Sequence, residues 1–208
     1  MKPIFPSIGY SRLRMEVDGE GVTTLVCAQG CPLRCKYCIN PESSRDRGRP
    51  RYIFTPESLY EAVKIDSLYF LATGGGIMFG GGEPLLYPDF IEEFAKLAPD
   101  WKLYCETSLW VSPRAVERAA QIVDHFAVDI KETDPEIYRS YTGRPFDRAG
   151  ENLRLLLSLV GADRITVRLP LIPGYNTDAH RDRSEALLRE WGVTRFDRFN
   201  YVIKEKNR

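Results

Sequence analysis

The stretch VTTLVCAQGCPLRCKYCIN, residues 22–40, joins an apolar β-rich run to a loop that carries four of the five cysteines. Val22–Cys27 predicts a buried strand, because β-branched and apolar residues dominate it. The loop has the spacing Cys31-x3-Cys35-x2-Cys38, which lets three thiolates converge within one short segment. In α/β folds the functional site lies in loops at the carboxyl ends of parallel strands. This order therefore indicates a metal site built on the first strand of such a fold.

The rest of the chain alternates β-rich runs with helical patterns, which is typical of βα units around a parallel sheet. Six βα units are too few to close an eight-stranded barrel, so they form either an open sheet or an incomplete barrel. Within one domain of residues 1–208, we treat residues 1–20 as an N-terminal extension and residues 27–40 as the cluster loop. We place the six strands at Val22–Cys27, Ile77–Phe79, Lys102–Glu106, His125–Ile130, Ile165–Leu169 and Phe196–Tyr201.

Helices are predicted between these strands from their first residues. Thr55-Pro56, Ser112-Pro113 and Asp134-Pro135 each pair a capping residue with a proline at the first helical position, and Gly143 ends the third helix. A further helix begins near Ala149. Its apolar residues recur at helical spacing and predict a stripe that faces the sheet: Leu153, Leu156, Leu157 and Val160.

Composition excludes several classes of protein. The 29 basic and 29 acidic residues balance to a net charge of zero, and 43% of residues are hydrophobic. These values argue against disorder and against non-specific binding of nucleic acid. The first twenty residues lack the apolar core of a secretory signal, and no apolar run is long enough to cross a membrane. We therefore expect a soluble cytoplasmic protein, where cysteines bind metal more often than they form disulfides.

The cysteine loop alone does not determine which metal is bound. Thiolates suit zinc, copper(I) and iron–sulfur clusters, and a closed four-cysteine zinc site that includes Cys27 is the structural alternative. Cys27 shares its strand face with Leu25, however, so we expect it to be packed rather than directed at the loop. Three thiolates leave one coordination position open for a substrate. We expect the fifth cysteine, Cys105, to be core.

Two further patterns, a glycine-rich run and a set of charged residues on later strands, are expected at the same end of the sheet. The run from Thr73 to Pro84 is rich in glycine and ends in Gly81-Gly82-Glu83, without the Gly-Lys-Ser/Thr of a phosphate loop. Alternation along the later strands puts Glu106, Asp129, Lys131 and Arg168 on one face. Buried Asp and Lys need partners, so this face predicts a polar cavity; a salt bridge at the strand end is the alternative. His125 and His180 are interpreted as ordinary strand-start and helix-start residues.

The spacing Cys31-x3-Cys35-x2-Cys38 resembles the signature of the radical S-adenosylmethionine superfamily. The resemblance implies that these three cysteines hold a [4Fe–4S] cluster whose fourth iron is chelated by S-adenosylmethionine. It also implies a catalytic role for the three cysteines and places Tyr37 near the adenine. In this family Gly81-Gly82-Glu83 corresponds to the element that holds the methionine ammonium.

Six ordered matches between Leu25 and Asn176 resemble one branch, the glycyl radical enzyme activating enzymes, which includes the pyruvate formate-lyase activating enzyme. They are Cys-x3-Cys-x2-Tyr-Cys-x-Asn-Pro, Gly-Gly-Glu-Pro-Leu, Glu106-Thr107, Asp129-Ile-Lys131 with Tyr138 and Thr142-Gly143, Glu151-Asn152-Leu153, and Arg168 to Asn176. The resemblance implies a partial (β/α)6 TIM-type barrel. It also implies that a monovalent cation and the S-adenosylmethionine carboxylate lie near Glu106, Thr107, Asp129 and Lys131, with Arg168 at the same end of the cofactor.

The implied activity is cleavage of S-adenosylmethionine to a 5′-deoxyadenosyl radical, which abstracts hydrogen from a backbone glycine of a partner glycyl radical enzyme. A flavodoxin or ferredoxin would supply the electron. The alternatives are a radical enzyme acting on a peptide or small molecule, and a non-catalytic zinc or iron–sulfur protein. The chain departs from the family pattern at Gly80, at Ile39 and at Glu106, and in the C-terminal Tyr201-Val202-Ile203, which lacks a histidine.

Overall fold

The computed structural model describes residues 2–16, 18–44 and 48–201, which form one eight-stranded sheet covered by α-helices on one face. The strands are β1 Phe5–Met15, β2 Val22–Ala28, β3 Tyr52–Phe54, β4 Gly76–Gly80, β5 Lys102–Thr107, β6 His125–Asp129, β7 Ile165–Leu171 and β8 Arg195–Asn200. The helices are α1 Pro56–Val63, α2 Ser67–Thr73, α3 Pro88–Leu97, α4 Pro113–Ala120, α5 Pro135–Thr142, α6 Asp147–Val160 and α7 Asp178–Glu190.

The sheet has the order β3-β1-β2-β4-β5-β6-β7-β8. From β2 onward every neighbouring pair is parallel, whereas β1 is antiparallel to both β2 and β3. The six predicted strands are therefore confirmed as six consecutive parallel strands, and the α/β class is confirmed. The sheet curves so that β2, β5, β6, β7 and β8 all contribute side chains to one cavity on its inner face.

Two strands were not predicted. β1 occupies most of the segment that we treated as an N-terminal extension, and it pairs with β2 through register shifts at Ser7/Gly9 and Ser11/Arg14. Such bulges interrupt the period-two pattern on which strand prediction depends. β3 has three residues, which is too short for a detectable pattern. Their pairing extends the sheet beyond β2 on the side away from the other parallel strands.

The two faces of the sheet differ because side chains alternate along each strand. Phe126 and Val128 of β6 are fully buried against the helices and belong to the main apolar core. Asp129, the next residue on the other face, lines the inner cavity with Arg168 of β7. The core thus lies between the sheet and the helices, while the inner face stays polar. Cys105 is fully buried in this core, as predicted.

The predicted capping residues are confirmed at the starts of three helices. Thr55 caps α1, Ser112 caps α4 and Asp134 caps α5, each by accepting hydrogen bonds from backbone amides of the first turn. Gly143 ends α5 with a φ of 72°. The stripe of α6 faces inward at its centre, where Leu153 and Leu156 are fully buried. None of the helices in the described ranges is long and apolar enough to cross a membrane.

Candidate active site

A cavity of about 570 Å³ opens at the carboxyl ends of the parallel strands. The loop after β2, the loop after β4 and the inner faces of β5 to β8 all line it. Ten of the predicted site residues meet in this cavity: Cys31, Cys35, Cys38, Gly81, Gly82, Glu106, Thr107, Asp129, Lys131 and Arg168. Tyr37 and Glu83, which complete the predicted set, lie beside the cavity and not in its lining.

The three cysteines of the loop are free thiols with graded exposure. Cys31 and Cys35 are half-buried, and Cys38 is exposed. Burial raises the pKa of Cys31 to about 12 and that of Cys35 to about 11. Within the ranges that the structure describes, no three His, Cys, Asp or Glu side chains converge as ligands of one ion would. The three cysteines instead line one shared cavity, which suits a cluster of several metal atoms.

Cys27 also lines the cavity. It shares its face with Leu25, as the alternation predicts, but that face looks into the cavity and not into a packed core. The expectation that Cys27 is simply packed is therefore wrong in part: the side chain is half-buried beside the loop. Burial raises the pKa of its thiol to about 11.

The base of the cysteine loop is fixed to the end of β4. Glu83 N donates to Gly30 O at 2.8 Å, and Gly82 N donates to Ala28 O at 3.1 Å. Tyr87 Oη donates to Gln29 O at 2.5 Å from the following turn. These bonds fix the start of the cysteine loop relative to the carboxyl end of β4.

The other end of the loop is fixed to α5. Arg34 N donates to Thr142 O at 2.8 Å and Lys36 N donates to Tyr141 O at 3.1 Å, so the two bonds flank Cys35. Arg144 Nε adds a bond of 3.0 Å to Pro32 O. The last turn of α5 thereby acts as a clamp that holds the cysteine loop over the cavity.

Gly81 allows the loops after β2 and β4 to approach closely. Its φ is +86°, in the left-handed region that favours glycine. A Cβ at this position would lie 2.5 Å from Cys27 Cβ, and one at Gly82 would lie 2.3 Å from Gly30 O. The absence of side chains here therefore keeps the cysteine loop seated against β4 and leaves backbone facing the cavity.

Glu83 is fully buried, and its carboxylate is saturated with donors. Oε1 accepts from Thr107 Oγ1 at 2.7 Å and from Leu85 N at 3.2 Å, and Oε2 accepts from Ser108 N and Oγ at 2.9 and 2.7 Å. A carboxylate has about four acceptor positions, so all are used. Burial raises the pKa of Glu83. In this arrangement Glu83 joins the ends of β4 and β5, and its predicted contact with an ammonium stays a prediction.

The inner face carries a network of alternating charges. Arg168 Nη1 donates to Glu106 Oε1 at 2.6 Å, and its Nε lies 3.6 Å from Asp129 Oδ1. Lys131 Nζ donates to Asp129 Oδ2 at 2.7 Å. Asp129 Oδ1 is buried without a hydrogen-bond partner among the described residues. The predicted polar cavity and its alternative, a strand-end salt bridge, are thus both present, because the Asp129–Lys131 pair lines the cavity.

The network shifts the acidity of its members in opposite directions. Burial raises the pKa of Glu106, and the charge of Asp129 adds to this. Burial alone would raise the pKa of Asp129, but Lys131 and Arg168 hold it below its ordinary value. Asp129 is therefore the fixed negative charge of the cavity. Its Oδ1 accepts no hydrogen bond from the described residues and so offers a binding position for a cation or a donor.

Aromatic rings flank the cysteine loop. Tyr37 packs against Tyr141, Tyr175 and Tyr201 at centroid distances of 6.1, 5.8 and 6.5 Å. Tyr201 also lines the cavity. The residues that follow it in the sequence motif, Val202 and Ile203, lie outside the described ranges.

Several cavity residues escaped sequence analysis. Arg14 and Asp18 form an ion pair that lines the cavity from the end of β1. Their i,i+4 charge spacing was visible in the sequence, but the strand that positions them was not. Phe199 and Asn200 line the opposite side from β8. His125 bonds to Thr166 on the neighbouring strand β7, and His180 bonds to Thr177 at the start of α7, as expected of ordinary residues.

Comparison with known proteins identifies the class to which this fold and site belong. The model of the radical SAM superfamily matches residues 25–185, which include the cysteine loop, the second half of β2 and the parallel strands β4 to β7. The chain therefore belongs to the radical SAM superfamily, a class of oxidoreductases that use S-adenosylmethionine and a [4Fe–4S] cluster.

Within this superfamily the chain is related to activating enzymes. It is 35% identical over 146 residues to the pyruvate formate-lyase-activating enzyme of Clostridium pasteurianum, covering 66% of this chain and 60% of that protein. It is 29% identical over 232 positions to the isethionate sulfite-lyase activating enzyme of Oleidesulfovibrio alaskensis, covering 82% of this chain and 75% of that one. The chain thus spans between three fifths and three quarters of the length of these relatives.

Solved structures share the fold at lower identity. The chain matches anSMEcpe with bound AdoMet at a TM-score of 0.67 and 17% identity, covering 86% of this chain and 52% of that one. It matches Streptococcus suis SuiB bound to the precursor peptide SuiA at a TM-score of 0.65 and 16% identity, covering 88% and 41%. These similarities, together with the mostly parallel sheet and its helices, support the partial TIM-type barrel.

Proposed function

We propose that this protein is a glycyl radical enzyme activating enzyme: it abstracts hydrogen from a backbone glycine of a partner protein. The observation that carries the proposal is the shared cavity, in which the three thiols of the cysteine loop, two glycines and the ion pairs Glu106–Arg168 and Asp129–Lys131 meet. When bound there, a [4Fe–4S] cluster and S-adenosylmethionine supply a one-electron cleavage that yields methionine and a 5′-deoxyadenosyl radical. The relatives named as activating enzymes support the choice of substrate class.

The donor set fits the cluster. Cys31, Cys35 and Cys38 provide three soft ligands on one loop, and the loop is held at both ends by backbone hydrogen bonds. We propose that these three residues are the cluster ligands. The exposure of Cys38 leaves one side of the site accessible to an electron donor such as a flavodoxin or ferredoxin.

The charges fit the amino-acid end of S-adenosylmethionine. We propose that Lys131 and Arg168 bind its carboxylate, because both cations line the cavity and charge-assisted hydrogen bonds to carboxylates are strong. We propose that a monovalent cation is bound by Glu106, Thr107 and Asp129, of which Asp129 has an oxygen that accepts no hydrogen bond from the described residues. The ammonium would lie against Gly81-Gly82-Glu83, where rotation of the Ser108 side chain frees one acceptor position of Glu83. Tyr37 would lie on the adenine side.

The test combines product analysis with spectroscopy. Protein reconstituted with iron and sulfide and then reduced without oxygen is mixed with S-adenosylmethionine and, in parallel, with pyruvate formate-lyase, isethionate sulfite-lyase or a glycyl radical enzyme encoded nearby. We expect 5′-deoxyadenosine and, with the correct partner, an organic radical with a doublet splitting in electron paramagnetic resonance.

The Cys35→Ala variant is the matched control and is expected to give neither product. 5′-Deoxyadenosine without a glycyl radical in any mixture would contradict the activating function and favour a peptide or small-molecule substrate. Colourless protein that binds zinc and no iron would contradict the enzyme altogether.

A further inference from the structure

Tyr138 on α5 has a fully buried side chain whose hydroxyl has no hydrogen-bond partner within the described ranges. Buried polar groups are normally paired, so an unpaired hydroxyl in a packed region calls for an explanation. The ring itself is well held, since it packs against Phe146 at a centroid distance of 5.3 Å. The structure therefore fixes the ring but supplies no acceptor for its polar end.

Tyr138 belongs to the clamp that holds the cysteine loop. Its backbone carbonyl accepts a 2.7 Å bond from Thr142 Oγ1, and the backbone carbonyl of Thr142 accepts the bond from Arg34 N. Tyr138 therefore lies one helical turn behind the residues that flank Cys35. Burial, followed by the charge of the Cys35 thiolate, raises the pKa of Tyr138. The phenol thus remains a protonated donor at neutral pH.

The clamp brings α5 against the cysteine loop, so the sulfurs of that loop are the candidate acceptors for this hydroxyl. Cys35 and Cys31 are among the ionisable groups whose charges act on Tyr138, as are Lys131 and Glu83. Thr107, Ser108 and Leu85 use the acceptor positions of Glu83, and the one that rotation of Ser108 would free is assigned above to the ammonium of S-adenosylmethionine. Lys131 has no acceptor. Of these four groups, the two cysteines are the ones that can accept a hydrogen bond from the hydroxyl.

We propose that Tyr138 donates a hydrogen bond to the Cys35 sulfur, or to an adjoining sulfide, when the cluster is bound, and thereby raises the reduction potential of the cluster. The physical reason is that hydrogen bonds to cluster sulfurs stabilise the additional negative charge of the reduced state. The inference rests on the proposed cluster but not on the identity of the partner protein. Tyr138 is on this account a positioning and tuning residue that need not contact the substrate.

The test is a redox titration of the reconstituted full chain, followed by electron paramagnetic resonance. Tyr138→Phe keeps the ring and its contact with Phe146 while removing the hydroxyl. We expect a more negative midpoint potential, with a one-electron reduction constant about tenfold lower, which corresponds to about 59 mV. Tyr60→Phe is the control, because Tyr60 stacks on Trp101 outside the cavity. Its potential should equal that of the wild type.

A second variant keeps the donor and changes its strength. Tyr138→3-fluorotyrosine makes the phenol more acidic and a stronger donor, so we expect a shift to more positive potential. This variant also tests the proposal if Tyr138→Phe fails to retain the cluster. Variants that hold the cluster at an unchanged potential would overturn the role of Tyr138 and leave the proposed function intact. Wild-type protein that takes up no cluster would overturn both.

Discussion

Thr107 Oγ1 on β5 donates a 2.7 Å hydrogen bond to Glu83 Oε1 at the end of β4, and both side chains are buried. The same hydroxyl accepts a bond of 2.9 Å from Leu109 N, so one small group connects the end of β4 to the loop after β5. Hydrogen bonds to charged groups are worth more than neutral ones. This relationship fixes the rim of the cavity before any cofactor binds.

Replacing Thr107 by valine keeps the shape and removes the hydroxyl. Because Glu83 and Leu109 N both lose a partner, we expect Thr107→Val to lower the free energy of unfolding by about 2 kcal/mol. Denaturant titration of the metal-free protein measures the change. Thr24→Val is the control, since the Thr24 hydroxyl is also buried but its bond to Asp66 is 3.5 Å long. Equal losses in the two variants would contradict a special role for the Thr107–Glu83 bond.

Variants of Gly81 and Gly74 test whether the lack of a side chain at Gly81 is needed for the close approach to Cys27. Both have positive φ, of 86° and 70°, but a Cβ at Gly74 meets nothing within 4 Å, whereas one at Gly81 meets Cys27. Alanine at either site incurs backbone strain of about 1–2 kcal/mol. We expect Gly81→Ala to destabilise the protein by more than Gly74→Ala and to reduce the iron bound after reconstitution. Similar iron content in both variants would show that the crowding at Cys27 does not matter.

Arg168 balances the carboxylates of the inner face. Without it, Glu106 loses its 2.6 Å partner beside Asp129, so we expect Arg168→Gln to cost about 2 kcal/mol of unfolding free energy near neutral pH. Since removal of the cation raises the pKa of Glu106 further, the cost should shrink as the pH falls and Glu106 is protonated. Denaturation at several pH values measures this trend.

Asp197→Asn provides the comparison, because the Asp197 side chain is 52% exposed and its pair with Arg168 is 3.4 Å long. Exposed pairs contribute little, so this variant should be close to wild type. A loss in Arg168→Gln that is constant with pH would argue against the charge explanation.

The protonation of His125 makes the folding stability depend on pH. Burial lowers the pKa of His125 in the folded protein, and Arg195 adds to this. Between the folded pKa and the unfolded value of about 6.5, the unfolded state binds more protons, so stability falls as the pH falls through this window. We expect His125→Gln, which can still bond to Thr166, to lose less stability on acidification. A thermal midpoint with the same pH dependence in both proteins would contradict this.

Variants of single cysteines test which of them bind the cluster. We expect Cys35→Ala to abolish cluster loading, measured as iron and sulfide per chain. Cys105→Ala and Cys27→Ala should retain the cluster and lose about 1 kcal/mol of stability each. Cys27 is the sharper control, because it lines the same cavity as the three loop cysteines. Loss of iron in Cys27→Ala equal to that in Cys35→Ala would overturn the three-cysteine assignment.

Much of the fold could be predicted from local pattern. Six parallel strands followed from apolar alternation, and the starts of α1, α4 and α5 followed from a capping residue before proline, because both signals lie within a few residues. β1 escaped because its pairing shifts register twice. The same strand carries Arg14, so its ion pair with Asp18 in the cavity escaped as well.

The candidate site was predictable in its residue types but not in its internal bonding. Motif resemblance selected Glu83, yet only the tertiary structure shows its four donors, which come from a neighbouring strand and two loops. The alternation along β6 likewise predicted an inward Asp129 and Lys131, and the structure adds that they bond to each other. Pairings between distant segments depend on how the sheet curves, which no local pattern encodes.

The clamp between α5 and the cysteine loop has a consequence for biosynthesis. Arg144 and Pro32, which it joins, are 112 positions apart. At a synthesis rate of roughly 5–20 residues per second, the thiols leave the ribosome about 6–22 seconds before the segment that secures them. During that interval they are open to oxidants and to adventitious metals. A cluster loaded in that interval would sit on a loop that α5 does not yet hold over the cavity.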